Sequence, residues 1–221
     1  MGVGKVVRRL SGPLEPYLAD AYRGFFFNVN GFADRVAAMG QVGSVVEIGC
    51  GEGALITALA ERMPQTQFLG LDVTSNVGRL FDGDRTRVRF ECTDAAVVAE
   101  REGAIADLVI VCDVMHHVPT EARRGLWQAA EKLVKRGGRI VFKEWLKNPA
   151  PIYWIGWASD RFITGDRIQY ETRETWMSQI EEGTSPWGVV SEMQLSPWKT
   201  NHAFVLERTR RVGGEALESG T

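Results

Sequence analysis

The sequence lacks the features that mark membrane-spanning or disulfide-stabilised proteins. No apolar run approaches the roughly 18 residues needed to cross a bilayer, and no apolar stretch follows Lys5, Arg8 and Arg9 near the N-terminus. We therefore expect neither a membrane span nor a secretory signal. The sequence has three cysteines, an odd number without paired spacing: Cys50, Cys92 and Cys112. We expect reduced thiols and a cytoplasmic location.

An excess of charge of either sign is also missing. The formal net charge is -2 and the sequence pI is about 6.0, so no general attraction to nucleic-acid phosphate is expected. The chain has 221 residues, 44% of them hydrophobic, which suits one globular domain with a sizeable core. We expect a small-molecule partner and no nucleic acid, and the sequence leaves the oligomeric state open.

Short β-branched runs alternate with segments of helical periodicity along most of the chain. The runs at 44–50, 67–73, 87–94, 106–114 and 139–145 are typical of strands, and 54–63 and 120–136 are typical of helices. This alternation predicts an α/β fold whose mostly parallel sheet has helices on both faces.

The ends of the chain depart from that alternation. The runs at 188–196 and 202–208 are separated by too few residues for a crossover helix, so they should pair as an antiparallel hairpin, giving seven strands in total. We divide the chain into an N-terminal helical lid (1–40), a main domain (41–209) and a disordered tail (210–221). Within the main domain, residues 146–186 are expected to form a substrate-pocket insertion that carries helices at 151–166 and 172–183.

A glycine-rich turn follows the first predicted strand in the stretch VVEIGCGEGA, residues 45–54. Gly49, Gly51 and Ala54 fit the dinucleotide fingerprint G-x-G-x-x-G/A. Glu47, Gly49, Gly51 and Gly53 equally spell E-x-G-x-G-x-G. Asp72 ends the second strand about twenty residues after the turn, where a carboxylate can bind a ribose diol. A glycine cluster and a strand-end acid that bind nothing remain the alternative.

With these pieces in order, the chain resembles the class I S-adenosylmethionine-dependent methyltransferases over residues 40–208. The matching stretches are VVEIGCGEG, LGLDVT, FECTDA, DLVIVCDVMHHVP, KRGGRIVFKE and the closing antiparallel pair. The resemblance implies a Rossmann-like fold and S-adenosylmethionine as cofactor, with S-adenosylhomocysteine as product. It implies cofactor contacts at Glu47, Gly49, Cys50, Gly51, Gly53, Asp72, Val73, Asp94, Ala95, Cys112 and Asp113. In particular, Glu47 would hold the methionine amino group, Asp72 the ribose and Asp94 the adenine amino group.

Transfer to a hydroxyl needs a base that removes its proton, and His suits this task near neutral pH. His116 and His117 follow the fourth strand, whose carboxyl end faces the crevice, and we favour His117 as the base. For each histidine, packing against the cofactor or the sheet is the alternative. Asp113 and Glu144 complete the set of candidate catalytic residues, with a salt bridge to Lys143 or Lys147 as the alternative for Glu144. A divalent metal held by Asp113 and the histidines is possible but not favoured, and we assign no metal ligands.

Aromatic residues cluster where the family varies its substrate. Six of the seven tryptophans follow residue 144, and they are Trp145, Trp154, Trp157, Trp176, Trp187 and Trp198. We expect an acceptor pocket with aromatic walls, although for any single tryptophan core packing is the favoured explanation. Arg161 is a weak candidate for an anionic acceptor group. In the N-terminal segment, at least one of Phe25, Phe26 and Phe27 should face a ligand or a partner, since three consecutive residues cannot share one helix face.

The predicted function is methyl transfer to a small molecule, most readily to a hydroxyl of a secondary metabolite, lipid precursor or sugar. The sequence lacks the Asn/Asp-Pro-Pro-aromatic run typical of amino-directed nucleic-acid methyltransferases. It also lacks a Tyr-x-x-x-Lys pair of the short-chain reductase type. An NAD(P)-dependent oxidoreductase and a non-catalytic binding protein with a methyltransferase-like fold are the alternatives.

Overall fold

One mixed sheet organises the protein in the computed structural model, which describes residues 25–149, 151–159, 168–183 and 187–209. Its strands in chain order are β1 (Ser44–Ile48), β2 (Gln67–Asp72), β3 (Val88–Cys92), β4 (Ala106–Cys112), β5 (Val134–Trp145), β6 (Trp187–Leu195) and β7 (Asn201–Arg208). Across the sheet they follow the order β3-β2-β1-β4-β5-β7-β6. The first five are parallel, and β7 is antiparallel to both β5 and β6. The predicted seven-stranded sheet with a closing antiparallel hairpin is confirmed.

Helices cover both faces of this sheet. They are α1 (Val29–Ala37), α2 (Ala54–Arg62), α3 (Ala95–Glu102), α4 (Thr120–Leu133), α5 (Pro151–Ser159) and α6 (Arg173–Gly183), and a 3-10 turn spans Met115–His117. Within the described ranges, no helix has both the length and the apolarity to span a bilayer. Buried residues of α1 and α2 contribute to one core, and those of α3, α4 and α6 to a second core on the opposite face.

The central strands are buried on both faces, as a parallel sheet between helical layers requires. In β4, Val109 and Val111 pack in the core shared with α4, whereas Ile110 packs in the core shared with α2. Successive side chains of a strand point to opposite faces, so each β-branched residue of this run finds a buried position. The continuous apolar run in the sequence is therefore explained by burial on both sides.

The largest differences from the sequence prediction concern the boundary between α4 and β5 and the presence of helix α3. Helix α4 ends at Leu133 rather than at 136, and β5 begins at Val134, where it pairs with Ala106 before an irregularity shifts the register to Leu108 and Arg139. The Lys-Arg-Gly-Gly stretch thus lies within an irregular strand. Helix α3 was not predicted, and it begins directly after Asp94, whose side chain accepts a hydrogen bond from the backbone N–H of Ala96.

The end segments can be compared only in part. Helix α1 lies within the predicted N-terminal lid, and α5 and α6 correspond to the two helices expected in the insertion. Arg161, the residues before Phe25 and the tail after Thr209 lie outside the described residues. The lid, insertion and tail assignments stay predictions.

Candidate active site

The candidate site lies at the carboxyl ends of β1, β2, β4 and β5. The order of the sheet reverses between β1 and β4, and ligands of open α/β sheets bind in the crevice at such a point. The predicted glycine turn, strand-end acids and histidines all follow these strands, so the fold brings them to one edge of the sheet.

The glycine turn adopts backbone angles that residues with a side chain rarely take. Gly49, Gly51 and Gly53 have φ values of +77°, +49° and +92°. A Cβ atom on Gly49 would lie 1.8 Å from Cγ2 of Val114, whereas one on Gly51 would meet nothing within 4 Å. Gly49 is therefore required for packing against the β4 loop, and Gly51 leaves open space beside the turn.

Asp72 fixes the turn from the neighbouring strand. Its Oδ2 accepts a hydrogen bond from the backbone N–H of Gly51 at 2.8 Å, and its Oδ1 accepts one from that of Thr74 at 2.9 Å. The carboxylate thus lies beside the open space at Gly51. Val73 next to it is 73% exposed, so the surface after β2 is open to a ligand.

Glu47 is a buried acid at the carboxyl end of β1, and one of its oxygens has no partner. The residue is 3% exposed, and Oε2 forms no hydrogen bond within the described structure. Burial, with a smaller contribution from the nearby charge of Asp72, raises the pKa of Glu47 to about 8, against an ordinary value of 4.5. A carboxyl group held in this state would gain a partner if a cation bound beside it, which fits the amino group of S-adenosylmethionine.

Two of the predicted cofactor-binding residues, Cys50 and Cys112, are buried thiols. Burial is the main cause that raises the pKa of each, so both remain neutral. Asp94 is exposed at the start of α3, and Ala95 beside it is buried. These residues lie at or just after the carboxyl ends of β1, β3 and β4. Their contacts with the cofactor stay predictions.

His116 and Glu144 form a buried pair between β4 and β5. Nδ1 of His116 lies 2.6 Å from Oε2 of Glu144, and the two residues are 5% and 0% exposed. The other carboxylate oxygen accepts hydrogen bonds from the backbone N–H groups of Val114 and Met115, at 3.1 and 2.7 Å. Glu144 therefore orients the imidazole, while Lys143, its alternative partner in the sequence analysis, pairs with Asp113 instead.

Lys143 and Asp113 form a second charged pair beside the first. The Nζ atom of Lys143 lies 2.5 Å from Oδ2 of Asp113 and 3.8 Å from the centroid of the Phe27 ring. The backbone N–H of Asp113 also donates to the carbonyl oxygen of Lys143 at 2.9 Å. Lys143 was not among the residues predicted for the site, although a lysine between the apolar residues of VFKEW indicates a buried and therefore partnered charge.

These two pairs border a cavity of about 240 Å³. Its walls include His117, the aromatic residues Phe26, Phe27, Trp145 and Tyr170, and Gly156 of α5. His117 is exposed, and its ring centroid lies 4.1 Å from that of His116. The cavity thus joins both predicted histidines to the expected aromatic walls, and nothing in the sequence marked Tyr170 for this role.

The tryptophans divide between the cavity and the core. Trp145 lines the cavity, whereas Trp176 and Trp187 are buried in the core on the α4 face of the sheet. Trp154 is 60% exposed on α5. Core packing therefore accounts for part of the tryptophan cluster, as the sequence analysis allowed.

Asp113, His116 and Glu144 place one ligand atom each within 4.8 Å of one another, a separation that could hold a metal ion. His116 already bonds to Glu144, and the ammonium group of Lys143 already contacts Asp113. A cation would have to displace both contacts to be held by all three residues.

The strand order, the glycine turn and the acid at the end of β2 together define a Rossmann-like nucleotide-binding fold. Residues 46–140, less than half of the chain, match the family model described as a methyltransferase domain. This part of the chain is therefore similar to methyltransferase domains.

Sequence relatives agree with this assignment. The ubiquinone biosynthesis O-methyltransferase of Leptothrix cholodnii is 33% identical over 110 residues, which are 48% of this chain and 45% of the relative. The enzyme of the same name from Idiomarina loihiensis is 30% identical over 125 residues, or 51% and 50% of the two chains. The chain thus spans about half the length of the curated relatives that it matches.

Solved structures share the fold at lower identity. An O-methyltransferase family 2 protein from Planctomyces limnophilus, in complex with apigenin, aligns with a TM-score of 0.68 at 20% identity, covering 87% of this chain and 60% of that one. Human N-acetylserotonin methyltransferase in complex with S-adenosylmethionine aligns with a TM-score of 0.60 at 16% identity, covering 81% and 52%. At these identities the similarity concerns the fold.

Proposed function

We propose that this protein transfers a methyl group from S-adenosylmethionine to a hydroxyl of a small molecule, such as a secondary metabolite, a lipid precursor or a sugar. The observation that carries the proposal is the His116–Glu144 pair, which borders an aromatic cavity at the same strand ends as the glycine turn. The O-methyltransferase names of the sequence relatives support the choice of a hydroxyl acceptor.

The residues at the carboxyl ends of β1 and β2 fit the cofactor. Glu47 would bind its amino group through the oxygen that has no protein partner. Asp72 would bind the ribose hydroxyls in place of one of its backbone donors, and Asp94 would face the adenine. When bound, the cofactor supplies an electrophilic methyl group on a sulfonium, so the protein must align the acceptor oxygen with it and remove the hydroxyl proton.

His116 fits the role of base better than His117, which the sequence analysis favoured. Glu144 engages Nδ1, which fixes the orientation of the ring and stabilises the imidazolium that forms when Nε2 takes up a proton. The bound cofactor would supply the methyl group and would leave as S-adenosylhomocysteine, while His116 would take up the proton of the acceptor hydroxyl and pass it on to solvent. His117, exposed at the cavity wall, would act in acceptor binding.

Calorimetric titration with S-adenosylhomocysteine and, separately, with NADH tests the cofactor. We expect micromolar binding of the first and none of the second. Binding of NADH alone would support the oxidoreductase alternative. Binding of neither ligand would support a non-catalytic protein of the same fold.

Paired histidine variants test the base, with methyl transfer measured on a panel of hydroxylated aromatic compounds. H116A should retain S-adenosylhomocysteine affinity and lose transfer by about 100-fold or more, the range of general-base contributions. H117A, the matched control, should change the KM of the acceptor with a smaller effect on kcat. The reverse result would return the role of base to His117. Unchanged rates in a chelator would count against the alternative of a divalent metal.

A further inference from the structure

Lys143 is a buried charged residue that has no role in the proposed reaction. Its side chain is 1% exposed, and it lines the cavity near the carboxyl end of β5. Lysine is almost never this buried without partners, because removing its charge from water is unfavourable. The burial of this charge in an aromatic cavity therefore requires a physical explanation.

The partners of Lys143 leave its donor capacity unfilled. An ammonium group carries three N–H donors. Among the described residues, the carboxylate of Asp113 is the only oxygen that accepts a hydrogen bond from it, and the ring of Phe27 offers a cation–π contact. A buried donor left without an acceptor is unfavourable, so a ligand oxygen in the cavity would be bound favourably.

The backbone conformation of Asp113 indicates that the fold holds this charged pair in place. Asp113 is the one non-glycine residue of the described chain with a positive φ, at 53°. Such a conformation is strained for a residue with a side chain and persists where the surroundings hold it. Here two contacts with Lys143 hold it, one through the backbone N–H and one through the carboxylate.

The neighbouring positions of Lys143 and Glu144 bring two functions to the same strand end. Glu144 orients His116, and both His116 and Lys143 line the cavity. An oxygen of Asp113 lies within 4.8 Å of a ring nitrogen of His116, and Oδ2 of Asp113 lies 2.5 Å from Nζ of Lys143. A ring that presents its hydroxyl to His116 can therefore place a neighbouring substituent at Lys143. The aromatic walls suit a planar ring.

We propose that Lys143 determines acceptor specificity by binding an anionic oxygen substituent, so that the acceptor is an aromatic ring with a carboxylate next to the hydroxyl that is methylated. The inference rests on the proposed function and narrows its acceptor class. Asp113 holds the ammonium in place and competes with the carboxylate of the ligand for it.

Two probes of nearly the same shape test this inference, 2-hydroxybenzoate and 2-hydroxybenzamide. Each is titrated into protein saturated with S-adenosylhomocysteine at pH 7.5. We expect the wild type to bind the benzoate at least tenfold more tightly than the amide. K143M should reduce this ratio to below threefold while its affinity for S-adenosylhomocysteine stays the same.

Two further variants keep the test independent of how well K143M folds. D113N removes the competing carboxylate and should widen the ratio beyond that of the wild type. K135M is the matched control, because Lys135 also pairs with an aspartate, Asp107, at 3.1 Å but does not line the cavity. Its ratio should equal that of the wild type.

The inference is overturned if the wild type shows no preference for the benzoate or binds neither probe. It is also overturned if the preference persists in K143M or narrows in D113N. Failure of the proposed function gives a different result, since the protein would then not bind S-adenosylhomocysteine before any probe is added.

Discussion

Replacing Glu47 by Gln should stabilise the ligand-free protein while weakening its binding of the cofactor. Glu47 has a raised pKa of about 8 in the folded state, whereas the ordinary value is 4.5. Between these two pH values the native state binds a proton that the unfolded chain does not hold, so stability falls as pH rises through this window and is level above it. A glutamine is neutral in both states and avoids this loss.

The size of the effect follows from the distance between the working pH and the unfolded-state pKa. At about 1.4 kcal/mol per pH unit, E47Q should gain about 3 kcal/mol at pH 7 and less than about 1 kcal/mol at pH 5. Urea unfolding at pH 5, 7 and 8.5 measures the difference between the variant and the wild type. E61Q is the control, because Glu61 is 71% exposed and its replacement should change stability by no more than about 0.5 kcal/mol at any pH.

Two results would refute this reasoning about Glu47. One is a stability difference that does not depend on pH, which would mean that the group does not titrate between 4.5 and 8. The other is a destabilised E47Q, which would mean that the ionised carboxylate has a partner in the protein. Tighter S-adenosylhomocysteine binding by E47Q would separately reject the contact with the amino group of the cofactor.

The remaining predictions concern the same strand ends. Binding of S-adenosylhomocysteine at pH 7 should release close to one proton from Glu47 and far less at pH 9. Calorimetry in buffers of different ionisation enthalpy measures this release, and E47Q should show none. G49A should unfold at markedly lower urea concentration than G103A: both glycines have positive φ, but only at Gly49 does a new Cβ meet a side chain, that of Val114. Equal midpoints for the two variants would reject the packing argument. D72A should abolish S-adenosylhomocysteine binding, and unchanged affinity by calorimetry would remove Asp72 from the site. W198F deletes the hydrogen bond from the indole N–H to the carbonyl oxygen of Phe25 and should cost about 1 kcal/mol in thermal unfolding; an unchanged Tm would show that this contact contributes nothing.

The strands of the sheet could be predicted from the sequence, because burial on both faces requires apolar side chains at consecutive positions. Residues 108–112 form an uninterrupted apolar run, and all five are buried in β4. The glycine turn could be predicted equally well, since only glycine tolerates the φ value of Gly49 and its close contact with Val114. By contrast, α3 is short and is set by the cap at Asp94, so its periodicity alone did not identify it.

The pairing of charges was harder to predict, because it depends on which face of the sheet each side chain takes. Lys143 and Glu144 are adjacent in sequence, and their partners could be assigned only when β4 and β5 were seen side by side. Glu144 and His116 meet across 28 positions, and Lys143 and Asp113 across 30. The choice between His116 and His117 turns on the same geometry, which no local pattern encodes.

Phe26 and Phe27 of the aromatic cavity wall lie in a segment that is hydrogen-bonded to the β6–β7 turn. The carbonyl oxygens of Phe25 and Phe26 accept hydrogen bonds from the side chains of Trp198 and Asn201, and the backbone N–H of Asn28 donates to the carbonyl oxygen of Ser196. Residues 25–28 and the β6–β7 turn thus form one side of the cavity together. Natural variation in the β6–β7 turn should therefore alter the shape of the cavity while the glycine turn remains unchanged.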